Sequence, residues 1–139
     1  MLVDPASVDW STTPDEFSYR LRQRPGPRNS LGLVKFMFPN EHSVYLHDTP
    51  MKHLFEAPRR AFSHGCVRVQ DPVALADFLL RDDPRWTTDR IASAMTAGSR
   101  ETVVLDRPVP VHLTYFTAWV QEAAVNFRAD IYGLDPRTD

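Results

Sequence analysis

A second cysteine is missing from these 139 residues: Cys66 stands alone. No internal disulfide can form, so its thiol is either a small packing group or a reactive one. An excess of positive charge is also missing, since 16 basic and 18 acidic residues leave a formal net charge of -2. A protein held to nucleic acid by phosphate contacts is normally basic, and that class recedes. No apolar run approaches the length of a membrane span. The first ten residues include Asp4 and Asp9 and lack the basic-then-apolar order of a secretory leader, so an export signal is expected elsewhere if there is one. Repeats and low-complexity tracts are absent from the sequence.

What is present is a globular composition, 42% hydrophobic and 24% charged, with enough length for one domain and a modest core. Residues 1–28 read as an irregular arm ending in the breaker Arg24-Pro25-Gly26-Pro27. Leu31 to Phe38 is expected to be a strand, with Val34, Phe36 and Phe38 on one face. Pro39-Asn40 turns the chain into a second strand, Ser43 to His47, and the two should form an antiparallel hairpin. In that second strand Val44 and Leu46 face one way while Tyr45 and His47 face the other.

Thr49-Pro50 reads as a cap and first helical position opening a short turn through Phe55, and Glu56 to Val69 reads as a loop. Asp71-Pro72 repeats the cap signal ahead of a helix through Leu80, with Leu75, Ala76, Leu79 and Leu80 as its apolar stripe. Thr87 or Thr88 should cap another helix, stopped by Gly98. Glu101 to Leu105 and Val109 to Val120 read as strands, with a turn near Gln121 to Ala124 and a return strand over Asn126 to Tyr132. The class expected is α+β and rich in β.

The chemistry concentrates in Ser63-His64-Gly65-Cys66-Val67-Arg68-Val69. Gly65 permits a tight turn that exposes amide N–H groups beside the sulfur, and acyl transfer needs such donors for the charge on the tetrahedral oxygen. Arg59, Arg60 and Arg68 flank the thiol and favour its anion wherever their guanidinium groups come near. A cysteine nucleophile needs a base that works near neutral pH, which points to histidine. His64 lies too close in sequence to fold back easily. His47, nineteen residues upstream at a strand end, is the better candidate.

Ser63-His64-Gly65-Cys66 plus an apolar residue, with His47 one spacer upstream, resembles the L,D-transpeptidase (YkuD domain) family. Tyr45-Leu46-His47-Asp48-Thr49-Pro50 and Gly65-Cys66-Val67-Arg68-Val69 are similar to its larger, multidomain members, where Arg is normal at the position of Arg68 although Asn is commoner across the family. The resemblance implies a β-rich α+β catalytic domain, here residues 29–135, preceded by a 1–28 arm or remnant of a lid segment. It also implies that the N-terminal part of the domain is missing, so the activity of the shortened chain depends on segments upstream. The implied reaction is attack by Cys66 on the third-residue carbonyl of a peptidoglycan tetrapeptide stem. D-Ala leaves, and the acyl group passes to an amine acceptor on a neighbouring stem, making a 3→3 cross-link. His47 is the implied base, steered by a backbone carbonyl, so Asp48 is not needed as a triad member.

No metal or organic cofactor is implied. Carbapenems acylate the same cysteine in the family, and the periplasm or cell envelope is the implied compartment. Ser63, His64 and Val67 join the implied substrate-binding set. Tyr45 either lines the pocket or packs, and Arg68 either binds a stem carboxylate or makes a loop salt bridge. Two other classes stay in view. One is a catalytically inactive module that binds peptidoglycan or a partner protein. The other is a zinc site from His47, His53, His64 and Cys66, against which the spacing and the single thiolate argue. A papain-like peptidase would place its cysteine before its histidine, the reverse of this order.

Overall fold

A computed structural model describes residues 3–13, 15–63 and 65–136. The chain divides into two compact units, Met1–Leu105 and Asp106–Asp139. The first contains a three-stranded sheet in the order β1 (Lys35–Phe36), β2 (Leu46–His47), β3 (Val67–Arg68), followed by helices α1 (Pro72–Leu80) and α2 (Thr88–Thr96). The second contains the hairpin β4 (Ala118–Gln121) and β5 (Ala124–Phe127). Mixed small sheets with two helices give the α+β class expected.

β1 and β2 pair antiparallel with Lys35 opposite His47 and Phe36 opposite Leu46, as the hairpin pattern predicts. The ladder is shorter than the apolar runs suggest. Between Phe38 and Val44 the chain is closed by the side chain of Asn40, which donates to the carbonyls of Phe38 and Val44 and accepts from the amides of His42 and Val44. Those backbone groups are satisfied locally, so they do not extend the ladder. The alternation still holds: Val34, Phe36 and Phe38 are half-buried while Lys35 and Met37 are exposed.

β3 corrects the reading of Glu56 to Val69 as loop throughout. Val67–Arg68 adds to β2 as a parallel strand, with Leu46 beside Val67 and His47 beside Arg68. The Val67 amide donates to the Tyr45 carbonyl at 3.0 Å and the Val69 amide to the His47 carbonyl at 2.8 Å. A two-residue pairing leaves no periodic trace in sequence. The intervening crossover holds a 3-10 turn over Lys52–Glu56, capped at Met51 and not at Thr49. Thr49 is fully buried, and its hydroxyl accepts from the Met51 amide at 3.2 Å, which delays the turn.

The helices start where sequence places them. Asp71 accepts from the Ala74 amide at 2.9 Å ahead of Pro72, and Thr87 accepts from the Arg90 amide at 3.3 Å. α2 runs into Ala97 and then Gly98, whose φ of 70° is comfortable only for glycine. Ala76 on α1 and Ile91 on α2 are buried, and Thr88 donates to Asp77 at 2.6 Å between the two helices.

In the second unit, Glu122 and Ala123 take φ values of 51° and 62°, the left-handed pair that lets a two-residue turn match the twist of its strands. Arg128 lies 4.2 Å from the Trp119 ring centre, and Tyr115 meets Tyr132 edge-on at 5.1 Å. The longer strands expected over 101–105 and 109–120 reduce to β4. Pro108 and Pro110 remove ladder donors, and Val104 lies 84% exposed without a pairing strand among the described residues. The return strand ends at Phe127 because the Asp130 carboxylate gathers the amides of Tyr132, Gly133 and Asp135 into a turn.

Gly32 holds the sheet entrance open. Its φ is 64°, and a Cβ there would overlap the Asp48 carboxylate. Gly32→Ala is therefore expected to lower stability by about 2 kcal/mol or more, read from the urea denaturation midpoint.

Candidate active site

The in-register residues of adjacent strands project to the same face of a sheet. Lys35, His47 and Arg68 are such a row, one from each strand of the first unit. Close by along β2 and β3 are Tyr45 and Cys66. The Tyr45 phenol lies within electrostatic reach of the Cys66 thiol, and its ring meets the His47 ring edge-on at 5.8 Å. Lys35 Nζ lies 3.8 Å from the centre of the Tyr45 ring. Burial first, then the hydrogen bond to Cys66 and the negative charge the sulfur can carry, push Tyr45 above the ordinary range for a phenol. The hydroxyl thus stays a proton donor facing the sulfur.

His47 is buried, and its Nδ1 meets the backbone carbonyl of Asp48. A carbonyl only accepts, so Nδ1 carries the proton and Nε2 is left as the basic nitrogen. Cys66 is half-buried. Gly65 before it takes φ 146°, and a Cβ there would press the Val44 side chain at 3.1 Å. Ser63 donates to the Cys66 carbonyl at 2.6 Å, which closes the turn that presents the thiol. Val67 is 38% exposed. Arg68 is half-buried, with its guanidinium 5.9 Å from the exposed Phe62 ring. His64 lies outside the described residues.

Two residues that the sequence pattern does not single out for a role hold this face together. Asp48 is buried beneath β2 and accepts from the Leu33 amide at 2.9 Å. Its other oxygen faces Lys52 Nζ at 2.8 Å. The same ammonium donates to the carbonyls of Val69 at 3.2 Å and Gln70 at 2.7 Å. The spacing of four between Asp48 and Lys52 is a legible signal of the pair. Lys35 is legible too, as the exposed member of an alternating strand opposite the histidine.

Burial alone would raise the Asp48 carboxyl. Hydrogen bonds from Lys52, Leu33 and Thr49, with the charge of Lys52, outweigh it and hold the group below the usual carboxylate range. Among the described residues no group of three or more His, Cys, Asp or Glu side chains could hold a metal. A shallow concavity of about 370 Å³, lined by Arg85, Trp86, Arg90, Glu101 and residues 102–104, shares no residue with the Cys66 face.

Known proteins resemble the chain over nearly all of this structure. Residues 3–111 match the model of the L,D-transpeptidase catalytic domain family, YkuD. A Haemophilus influenzae protein described as a putative L,D-transpeptidase is 40% identical over 134 residues, which is 96% of this chain and 27% of that protein. The chain thus spans about a quarter of the length of the relative it matches.

A depressed carboxyl stabilises the fold fully above its unfolded value, near 3.9, and loses that contribution as pH falls through the folded value. The urea midpoint should therefore fall between about pH 5 and pH 2. Asp48→Asn should lower stability at pH 7 by about 1–3 kcal/mol and flatten the acid limb. An unchanged acid limb in Asp48→Asn would remove Asp48 as its origin.

Proposed function

Because the chain belongs to the L,D-transpeptidase catalytic domain family, we propose that it performs L,D-transpeptidation on peptidoglycan stems, with Cys66 as nucleophile and His47 as base. The observation that carries this reading is the parallel pairing that brings the Cys66 end of β3 beside Tyr45 and His47, while the Asp48 carbonyl fixes the histidine proton on Nδ1.

His47 Nε2 takes the thiol proton, and the sulfur attacks the carbonyl of the third residue of a tetrapeptide stem. The C–S bond forms as the carbonyl oxygen takes up the electron pair. That oxygen needs donors in place before the charge arrives. The Val67 amide is committed to the Tyr45 carbonyl, so the donors for the oxyanion are the amides at Gly65 and Cys66 and the Tyr45 hydroxyl. When the tetrahedral intermediate collapses, the C–N bond to the terminal D-Ala breaks and its amine takes the proton from His47. A thioester remains.

An amine from an acceptor stem then attacks the thioester, the C–S bond breaks, and the proton lost by the amine returns through His47 to the sulfur. The product is a 3→3 cross-link. Donor and acceptor stems are the partners of this reaction, which takes place in the periplasm or cell envelope where peptidoglycan lies. Its output is a contribution to wall organisation and cell shape. A carbapenem is the matching inactivator, because its strained carbonyl accepts the same sulfur.

Incubation with a carbapenem should add one inhibitor mass to the wild-type protein and none to Cys66→Ala. Release of D-Ala from a tetrapeptide stem should drop by about 10³-fold in His47→Ala, and by roughly tenfold in Tyr45→Phe, which keeps the ring and loses the donor. Folded wild-type protein that takes up no carbapenem and releases no D-Ala would overturn the enzyme reading in favour of a binding module.

A further inference from the structure

Lys35 and Arg68 stand opposite His47 on the two neighbouring strands, one on each side, and neither has a carboxylate partner among the described residues. Lys35 is exposed, and its ammonium leans over the ring of Tyr45, whose phenol lies within electrostatic reach of the thiol. Arg68 has an exposed aromatic ring as its neighbour, 5.9 Å away, which leaves its planar fork of donors for another group. Two cations bracketing a buried histidine, with no carboxylate partner among the described residues, attract an anion to that row. Both are held by strand register, so the spacing between their backbones is fixed at the inter-strand distance on either side of β2.

We propose that Lys35 and Arg68 form a two-sided clamp for the terminal carboxylate of the acyl donor. The inference rests on the proposed reaction for the orientation of its ligand. In that reaction His47 hands its proton to the leaving amine, so the leaving residue sits against the imidazole. In an α-amino acid the carboxylate is separated from that amine by one carbon. A carboxylate so placed falls between the residues that flank His47 in register. The clamp selects donors that end at the leaving residue, because an extension by one residue carries the carboxylate out of the row. Charge-assisted hydrogen bonds from an ammonium and a guanidinium are of the strength that sets substrate choice. Lys35 and Arg68 are specificity residues here; the bond-making groups remain Cys66 and His47.

The test is binding of a tetrapeptide stem to protein carrying Cys66→Ala, which holds the ligand without reaction, followed by titration calorimetry or NMR. The parent should bind the free-acid stem at least tenfold more tightly than the same stem with a C-terminal amide. Lys35→Met and Arg68→Met should each erase most of that preference while binding the amide stem as the parent does, and Lys35→Arg should retain it. Thermal melts keep folding defects apart from lost recognition. Equal affinity of the parent for acid and amide stems, equal weakening of both by the substitutions, or no detectable binding of the acid stem would each overturn the clamp. D-Ala release by the unmodified chain reads the reaction separately: release without acid preference removes the clamp alone, and acid preference without release removes the reaction alone.

Discussion

The contact between the buried Asp48 carboxylate and the exposed Lys52 ammonium is the constraint on which the arrangement around Cys66 depends. Its carboxylate ties the backbone at Leu33, just ahead of β1, to the end of β2, and its ammonium partner reaches the carbonyls that follow β3. Three strands of two residues each cannot hold register by their ladders alone. A charged staple across all three holds it, with one side chain from the end of β2 and one from the crossover. The same residue offers its backbone carbonyl to His47. Asp48 thus orients the imidazole through its main chain and the sheet through its side chain, without entering a triad.

The division of labour suits the chemistry. Groups that must be dry and fixed, His47, Asp48 and Thr49, are consecutive and buried. The groups proposed to meet a ligand lie at the row's outer positions, where Lys35 is exposed and Arg68 is half-buried. Tyr45 stands between, kept protonated by burial and by the sulfur it faces. The charge that is buried, on Asp48, is offset by Lys52 and by backbone donors, while Lys35 and Arg68 keep theirs at or near the surface.

The legible parts of the molecule are those with local causes. Asp71 and Thr87 cap helices through contacts three residues away, and both helices begin where their caps predict. Alternation about Val34 to Phe38 and Tyr45 to His47 reveals the hairpin and the face shared by Tyr45 and His47. The motif around Cys66, with His47 one spacer upstream, marks the family from residue order alone. What stays hidden has non-local causes. β3 exists because the amides of Val67 and Val69 find the carbonyls of Tyr45 and His47, far back in the chain. The displacement of the 3-10 turn from Thr49 to Met51 follows from burial of the threonine hydroxyl, which no propensity encodes. The strands expected over 101–120 shorten because residues that favour strands still need a partner and free donors.

Parallel pairing of β2 with β3 has a consequence in time. β1 and β2 are joined by a short turn and can meet early, within the microseconds typical of a hairpin. β3 can join only after the crossover has closed, because parallel neighbours cannot be linked by a tight turn. The thiol and the imidazole therefore come onto one face at the last step of sheet assembly. Until then the proposed nucleophile has no proposed base beside it, so the activity proposed for this face would arise only with the native topology.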